Sequence, residues 1–162
     1  MDYPSPEPGL VVSYRYLWRD EANAGRTEGT KTHPAAIILV QEQGLKPLVT
    51  VVPITHSAPS GSDVAIAIPP RLASHIGLDT KPHWVIVSEA NQFHWPGFDI
   101  EENRNGDYYY GFVSPKLLEQ IAAKFVECAE SGMSPVSRDD DQPASAAAKP
   151  SSKQSIMPAK TK

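Results

Sequence analysis

An apolar run ends in three polar side chains at Val52-Pro53-Ile54-Thr55-His56-Ser57, which places a hydroxyl, an imidazole and a second hydroxyl in succession. A buried strand that ends this way ends at the rim of a sheet, where side chains reach solvent or ligand. Strand alternation would put Thr55 and His56 on opposite faces, so one of them is expected at any given site. The plain alternative is a turn, because Ser57-Ala58-Pro59-Ser60-Gly61 has loop composition and Ser and Thr often satisfy loop backbone.

Two further segments hold groups suited to binding or acid–base work. The connection from Trp18 to His33 carries Arg19, Arg26 and Lys31 among the acids Asp20, Glu21 and Glu28, and ends in Lys31-Thr32-His33-Pro34. Connections of that length in a small domain tend to be functional, and Pro34 imposes an extended entry into the next segment. The stretch from Glu89 to Asp99 contains Asn91, Gln92, Phe93, His94, Trp95 and Phe98. Aromatics beside amides can stack bases and hydrogen-bond their edges, although aromatics are more often core. The five histidines are scattered, without paired spacing or a cysteine partner, so neither a metal nor another cofactor is expected. There is no Gly-rich phosphate loop and no Gly-x-Ser-x-Gly turn.

These groups must be positioned by short strands. Leu10 to Trp18, Ala35 to Gln41, Leu48 to Thr55, Val64 to Ile68, Trp84 to Ser88 and Tyr108 to Val113 are apolar, β-branched or aromatic and separated by Pro and Gly. Ala35 to Gln41 and Leu48 to Thr55 are apolar without alternation, as in strands buried on both faces. Pro69-Pro70 opens a short helical turn that Gly77 ends. One longer helix is expected from Ser114-Pro115, an N-cap followed by proline at the first helical position. There Leu117, Leu118, Ile121, Phe125 and Cys128 build one apolar face. Cys128 reads as a small hydrophobe in that face. Six short strands with one real helix predict a mainly β domain, a small barrel or sandwich.

Composition sets the frame. The chain has 162 residues, enough for one domain. Residues 1–8 read as an N-terminal extension, 9–132 as the domain, and 133–162 as a disordered tail of Ser, Pro, Ala, Lys, Asp and Gln that buries too little apolar surface to order. One cysteine excludes a disulfide framework within the chain and a multi-cysteine zinc site. It also fits a reducing, cytoplasmic setting. The first ten residues, acidic and proline-rich, do not read as a signal peptide. No apolar stretch approaches the roughly 18 residues of a membrane span, so no membrane partner is expected. Ten basic and sixteen acidic residues occur up to Gly132. The domain as a whole therefore repels nucleic acid, and any RNA must be held at a local basic site.

Taken together, the segments from Gly9 to about Glu130 resemble the PemK/MazF family of toxin-type endoribonucleases. The resemblance rests on an early strand, a long loop, a basic residue and proline before an apolar strand, here Lys31-Thr32-His33-Pro34-Ala35-Ala36-Ile37-Ile38-Leu39-Val40, and a second apolar strand ending Val51-Val52-Pro53-Ile54-Thr55. Trp95-Pro96-Gly97 and the terminal helix resemble a divergent branch of it. The resemblance implies a small SH3-like barrel with a C-terminal helix, usually a homodimer, that cleaves single-stranded RNA without metal and is silenced by an antitoxin peptide. It also implies a catalytic pair, an arginine before the proline and the threonine at the strand end. The threonine matches Thr55, and His33 stands at the arginine position. On this basis Thr55, His33 and Arg26 are the expected catalytic residues, with Arg26 or Lys31 supplying fixed charge. Arg19, Lys31, His56, Ser57, Asn91 and Trp95 are expected to contact RNA. The alternative is a non-catalytic barrel that binds a peptide or nucleic acid.

Overall fold

The computed structural model describes residues 3–139. Eight strands and three helices follow in the order β1 (Leu10–Arg15), α1 (Arg19–Asn23), β2 (Thr32–Gln41), β3 (Leu48–Thr55), β4 (Ala65–Ile68), α2 (Pro70–Ile76), β5 (His83–Ile86), β6 (Asn91–His94), β7 (Tyr109–Phe112), α3 (Pro115–Glu130) and β8 (Val136–Ser137). The strands form one curled sheet in the order β4-β5-β3-β2-β1-β7, with β6 on β3 and β8 on β6. The fold is thus mainly β, a small barrel-like sheet with a helix near the C-terminal end, as expected. Among the described residues, no helix is long and apolar enough to cross a membrane.

The unbroken apolar runs have a direct cause. Successive strand residues face opposite ways, and both faces of β1, β2 and β3 are covered. Val11, Ala36, Val52 and Ile54 enter one cluster with Ile76, Val85, Leu117 and Ile121. Their neighbours Leu10, Val12, Ala35, Ile37, Val49 and Val51 enter a second cluster with Tyr14, Tyr16, Phe93 and Trp95. Helix α3 covers the first face, and the aromatic segment from β6 covers the second. The Ser114 hydroxyl caps α3 by accepting from the Leu117 N–H at 3.2 Å. Leu117 and Ile121 are its buried contacts, and Cys128 packs at the edge of the same cluster.

β3 carries the curl. Its first half, Leu48 to Val51, pairs with β6, while Ile54 and Thr55 pair with β5. The change of partner falls at Pro53, which has no N–H to give to a ladder. A register shift between Ile37 and Leu39 in β2 adds local twist on the other side.

Three elements were not legible as such. The connection after Trp18 holds the short helix α1, Asn91–His94 is a strand, and β8 lies in what reads as tail. The described part of that tail, 133–139, is built into the sheet. The Val136 N–H bonds the Ala90 carbonyl and the Arg138 N–H bonds the Gln92 carbonyl, both at 2.8 Å. The boundary expected at Gly132 is therefore corrected to reach Asp139, and the tail from Asp140 onward lies outside the described residues. The physical reason is Arg138. Its side chain is fully buried, paired with Asp99 at 3.0 Å, and donates to the Tyr14 hydroxyl, the Arg15 carbonyl and Asn91 Oδ1. At the other end, Tyr3 stacks on Tyr108 with ring centroids 4.6 Å apart, so part of the N-terminal extension also rests on the domain.

Candidate functional site

The register of three strands builds the site. β2 and β3 pair antiparallel with Ala36 opposite Val52 and Ala35 opposite Pro53. Continued by two residues, the same register sets His33 opposite Thr55. β3 and β5 pair with Ile54 opposite Val85 and Thr55 opposite Trp84, which continues to His56 opposite His83. The β2–β3 ladder stops at Ala35, while β2 runs on against β1 to Thr32, so Pro34 sits where only one side of β2 is paired. Where these ladders fray, the sheet opens into a cleft of about 440 Å³. Its walls include Lys31, His33, Thr55, His56, Ser57, Asp79, His83, Arg104 and Tyr110. Lys31, His33, Thr55 and Ser57 also border a second groove of about 330 Å³ that leads towards Trp18 and Asp63.

The expected separation of Thr55 and His56 onto opposite faces does not occur, because both line the same cleft. The regular strand ends at Thr55, and alternation ends with it. Thr55 is nearly buried at 9% exposure. Its Oγ1 accepts from the Ser57 N–H at 3.1 Å, which fixes the hydroxyl and leaves its proton available to donate.

His33 is half-buried, with its ring edge-on to Trp18 at 5.7 Å between centroids. Burial, then the positive charge of Lys31, lowers its pKa below the ordinary 6.5, against a smaller opposing pull from Glu21. The imidazole is therefore neutral at neutral pH, the form that can accept a proton. Across the cleft, His83 is buried and His56 exposed, their Nε2 atoms 3.1 Å apart. Burial, then His56, lowers the pKa of His83. Burial acts to raise the Asp79 carboxyl, but the Lys81 N–H and the two imidazoles outweigh it and hold it below its ordinary value.

Of the residues singled out in the sequence, Lys31, His33, Thr55, His56 and Ser57 come together. Four do not. Arg26 is exposed on the loop and does not line the cleft. Arg19 lies on α1, where its backbone N–H bonds Glu89 at 3.1 Å. Asn91 is fully buried, and its amide bonds the Leu17 N–H and carbonyl at 3.0 and 2.8 Å, so it braces the segment after β1 against β6 and cannot reach a ligand. Trp95 is 7% exposed and stacks near Phe93 in the second core. Its expected role in binding RNA is corrected to packing, because the apolar face of β1 to β3 needs cover.

Sequence reading missed Asp79, His83 and Arg104. Asp79 and His83 are four residues apart in a short connection ending at β5, a spacing that puts two polar groups within reach of one another. The scattered histidines give no sign in sequence that His56 joins them, since that follows from the register of β3 on β5. The fold nonetheless converges two of the scattered histidines on Asp79, with one ligand atom of each of the three residues within 4.8 Å of the others. Comparison of the chain with protein-family models, with curated proteins and with solved structures finds no match.

Proposed function

We propose that the protein is a toxin-type endoribonuclease that cleaves single-stranded RNA in the cleft between β2, β3 and β5, using side chains alone. The observation that carries this reading is that His33 and Thr55 line the same two grooves at the frayed end of the β2–β3 ladder, with Lys31 and Arg104 in the walls of the larger one. His33 takes the proton of an RNA 2′-hydroxyl, whose oxygen attacks the adjacent phosphorus. The bond from phosphorus to the 5′ oxygen breaks, that oxygen takes a proton from solvent in the open cleft, and a 2′,3′-cyclic phosphate remains. Thr55 donates its hydroxyl to a phosphate oxygen, and Lys31 and Arg104 face the charge that develops there. These two cations replace Arg26 in the role of fixed charge. The two grooves that meet at Lys31, His33, Thr55 and Ser57 give a single strand a path on either side of the scissile bond.

A homodimer and a silencing antitoxin peptide belong to the same proposal through the family resemblance. A cytoplasmic location, where its RNA would be met, belongs to it too. The second reading, a barrel that binds RNA or peptide without cutting it, draws on His33 itself. A neutral imidazole supplies none of the permanent charge that an arginine would place beside the phosphate.

The test is incubation of the purified full chain with a long single-stranded RNA in EDTA, between about pH 5.5 and 8.5, a span that brackets histidine titration. Cleavage that His33→Ala and Thr55→Val each abolish supports the reading. Binding without cleavage at every pH by folded protein favours the non-catalytic barrel.

A further inference from the structure

We propose that His56, Asp79 and His83 form a binding site for a divalent transition-metal ion of the zinc class, which clamps the end of β3 to the connection between α2 and β5. The three residues reach the same point from separate parts of the chain. His56 follows β3, Asp79 follows α2, and His83 opens β5. Each offers one ligand atom, and the three atoms lie within 4.8 Å of one another.

The geometry is more specific than proximity. Zinc binds imidazole nitrogen and carboxylate oxygen at about 2.0–2.2 Å in tetrahedral arrangement, so neighbouring ligand atoms stand about 3.3 Å apart. Here the two Nε2 atoms are 3.1 Å apart. Asp79 Oδ1 is 3.2 Å from His56 Nε2 and 3.4 Å from His83 Nε2. The triangle is already close in size to one face of a coordination tetrahedron.

Both rings turn the same nitrogen inward, which a hydrogen-bonded pair alone does not require. Only one proton fits between two Nε2 atoms at that distance, whereas an ion accepts both lone pairs and the carboxylate at once. The side chains of His56 and Asp79 are 47% and 44% exposed, and both line the cleft. The fourth position therefore opens to solvent, as in sites that keep water or an anion as their last ligand.

The site rests on these contacts and not on the RNA reading, and its test reads metal alone. The full chain, stripped with EDTA and exchanged into chelator-free buffer, is titrated with ZnCl2 by calorimetry and with CoCl2 by visible absorption. The expected result is one ion per chain and the strong visible bands of tetrahedral cobalt. His83 is core, so the variants are His56→Ala and Asp79→Asn, whose side chains are half-exposed, with circular dichroism confirming the fold. Each should weaken binding about 100-fold or more, at least as much as loss of an outer-shell partner. Failure of the wild-type chain to bind either ion would overturn the proposal. So would binding of equal affinity in both variants, which would assign the ion to His33, His75, His94 or Cys128.

Discussion

Arg138 offers the sharpest test of how the fold is held, because it lies beyond the apparent end of the domain yet sits at its centre. Arg138→Ala removes a guanidinium that pairs with Asp99 at 3.0 Å, donates to four groups at 2.9–3.4 Å and lies over the Tyr14 ring at 5.7 Å. Its side chain is fully buried and that of Asp99 is 14% exposed, so water replaces the lost partner only in part. Breaking a buried ion pair by deleting one member costs about 3–5 kcal/mol. Arg15 also acts on Asp99, which sets the expectation at the lower end, about 3 kcal/mol. For a domain of this size each kcal/mol moves the melting temperature by about 3–4 °C, so a fall of about 10 °C is expected. Urea unfolding followed by circular dichroism gives the free energy directly. A double-mutant cycle with Asp99→Ala should return a coupling of about 1–3 kcal/mol. A loss below about 1 kcal/mol, the scale of an exposed ion pair, would show that residues 133–139 do not hold the sheet and would restore the boundary at Gly132.

Four further outcomes follow from named residues. Asn91→Ala leaves the buried Leu17 N–H and carbonyl without their partner and should cost about 2 kcal/mol or more in urea unfolding, since each unmet buried group costs about 1–3 kcal/mol. A binding role for Asn91 would instead leave stability unchanged. A Cβ on Gly29 would collide with the Tyr16 carbonyl oxygen, so Gly29→Ala should displace the loop from the end of β1, and limited proteolysis should then cut between Trp18 and His33 faster than in the wild type. For His33 the folded pKa lies below 6.5, so between the two values the unfolded chain binds more protons than the folded one. Its contribution to stability is therefore intact above the unfolded value and is lost as pH falls through that window. In His33→Gln this part of the acid dependence of stability should vanish. For the proposed RNA cleavage, the same lowered pKa sets the acidic limb below pH 6.5 in the wild type, and a limb at or above 6.5 would remove His33 as the base.

The sheet was legible wherever burial on both faces wrote an unbroken apolar run, as at Ala35 to Gln41 and Leu48 to Thr55. The helix α3 was legible because Ser114, Pro115 and the Leu117-to-Cys128 spacing all point the same way. The strand Asn91–His94 was not. Its alternating burial hides Asn91 among the inward residues, and a buried amide looks in sequence like a surface one. Residues 133–139 failed for a related reason. Their order comes from one arginine whose partners, Tyr14, Arg15, Asn91 and Asp99, are at least 39 positions away, and composition cannot report a long-range partner.

The site divides along the same line. Thr55, His56 and Ser57 are contiguous and mark a strand end, so the sequence points to them. What turns them into a cleft is pairing arithmetic that no local pattern contains. One register on β2 brings His33 to Thr55, and another on β5 brings His83 to His56. A one-residue slip in either pairing would send the partner to the other face of the sheet. Both registers are fixed by apolar residues of the two cores, Ile37, Val51, Val52, Ile54 and Val85. The same apolar residues that close the sheet therefore set the spacing of the histidines, and a core substitution that shifts β5 against β3 would separate His56 from His83 while leaving His33 and Thr55 in place.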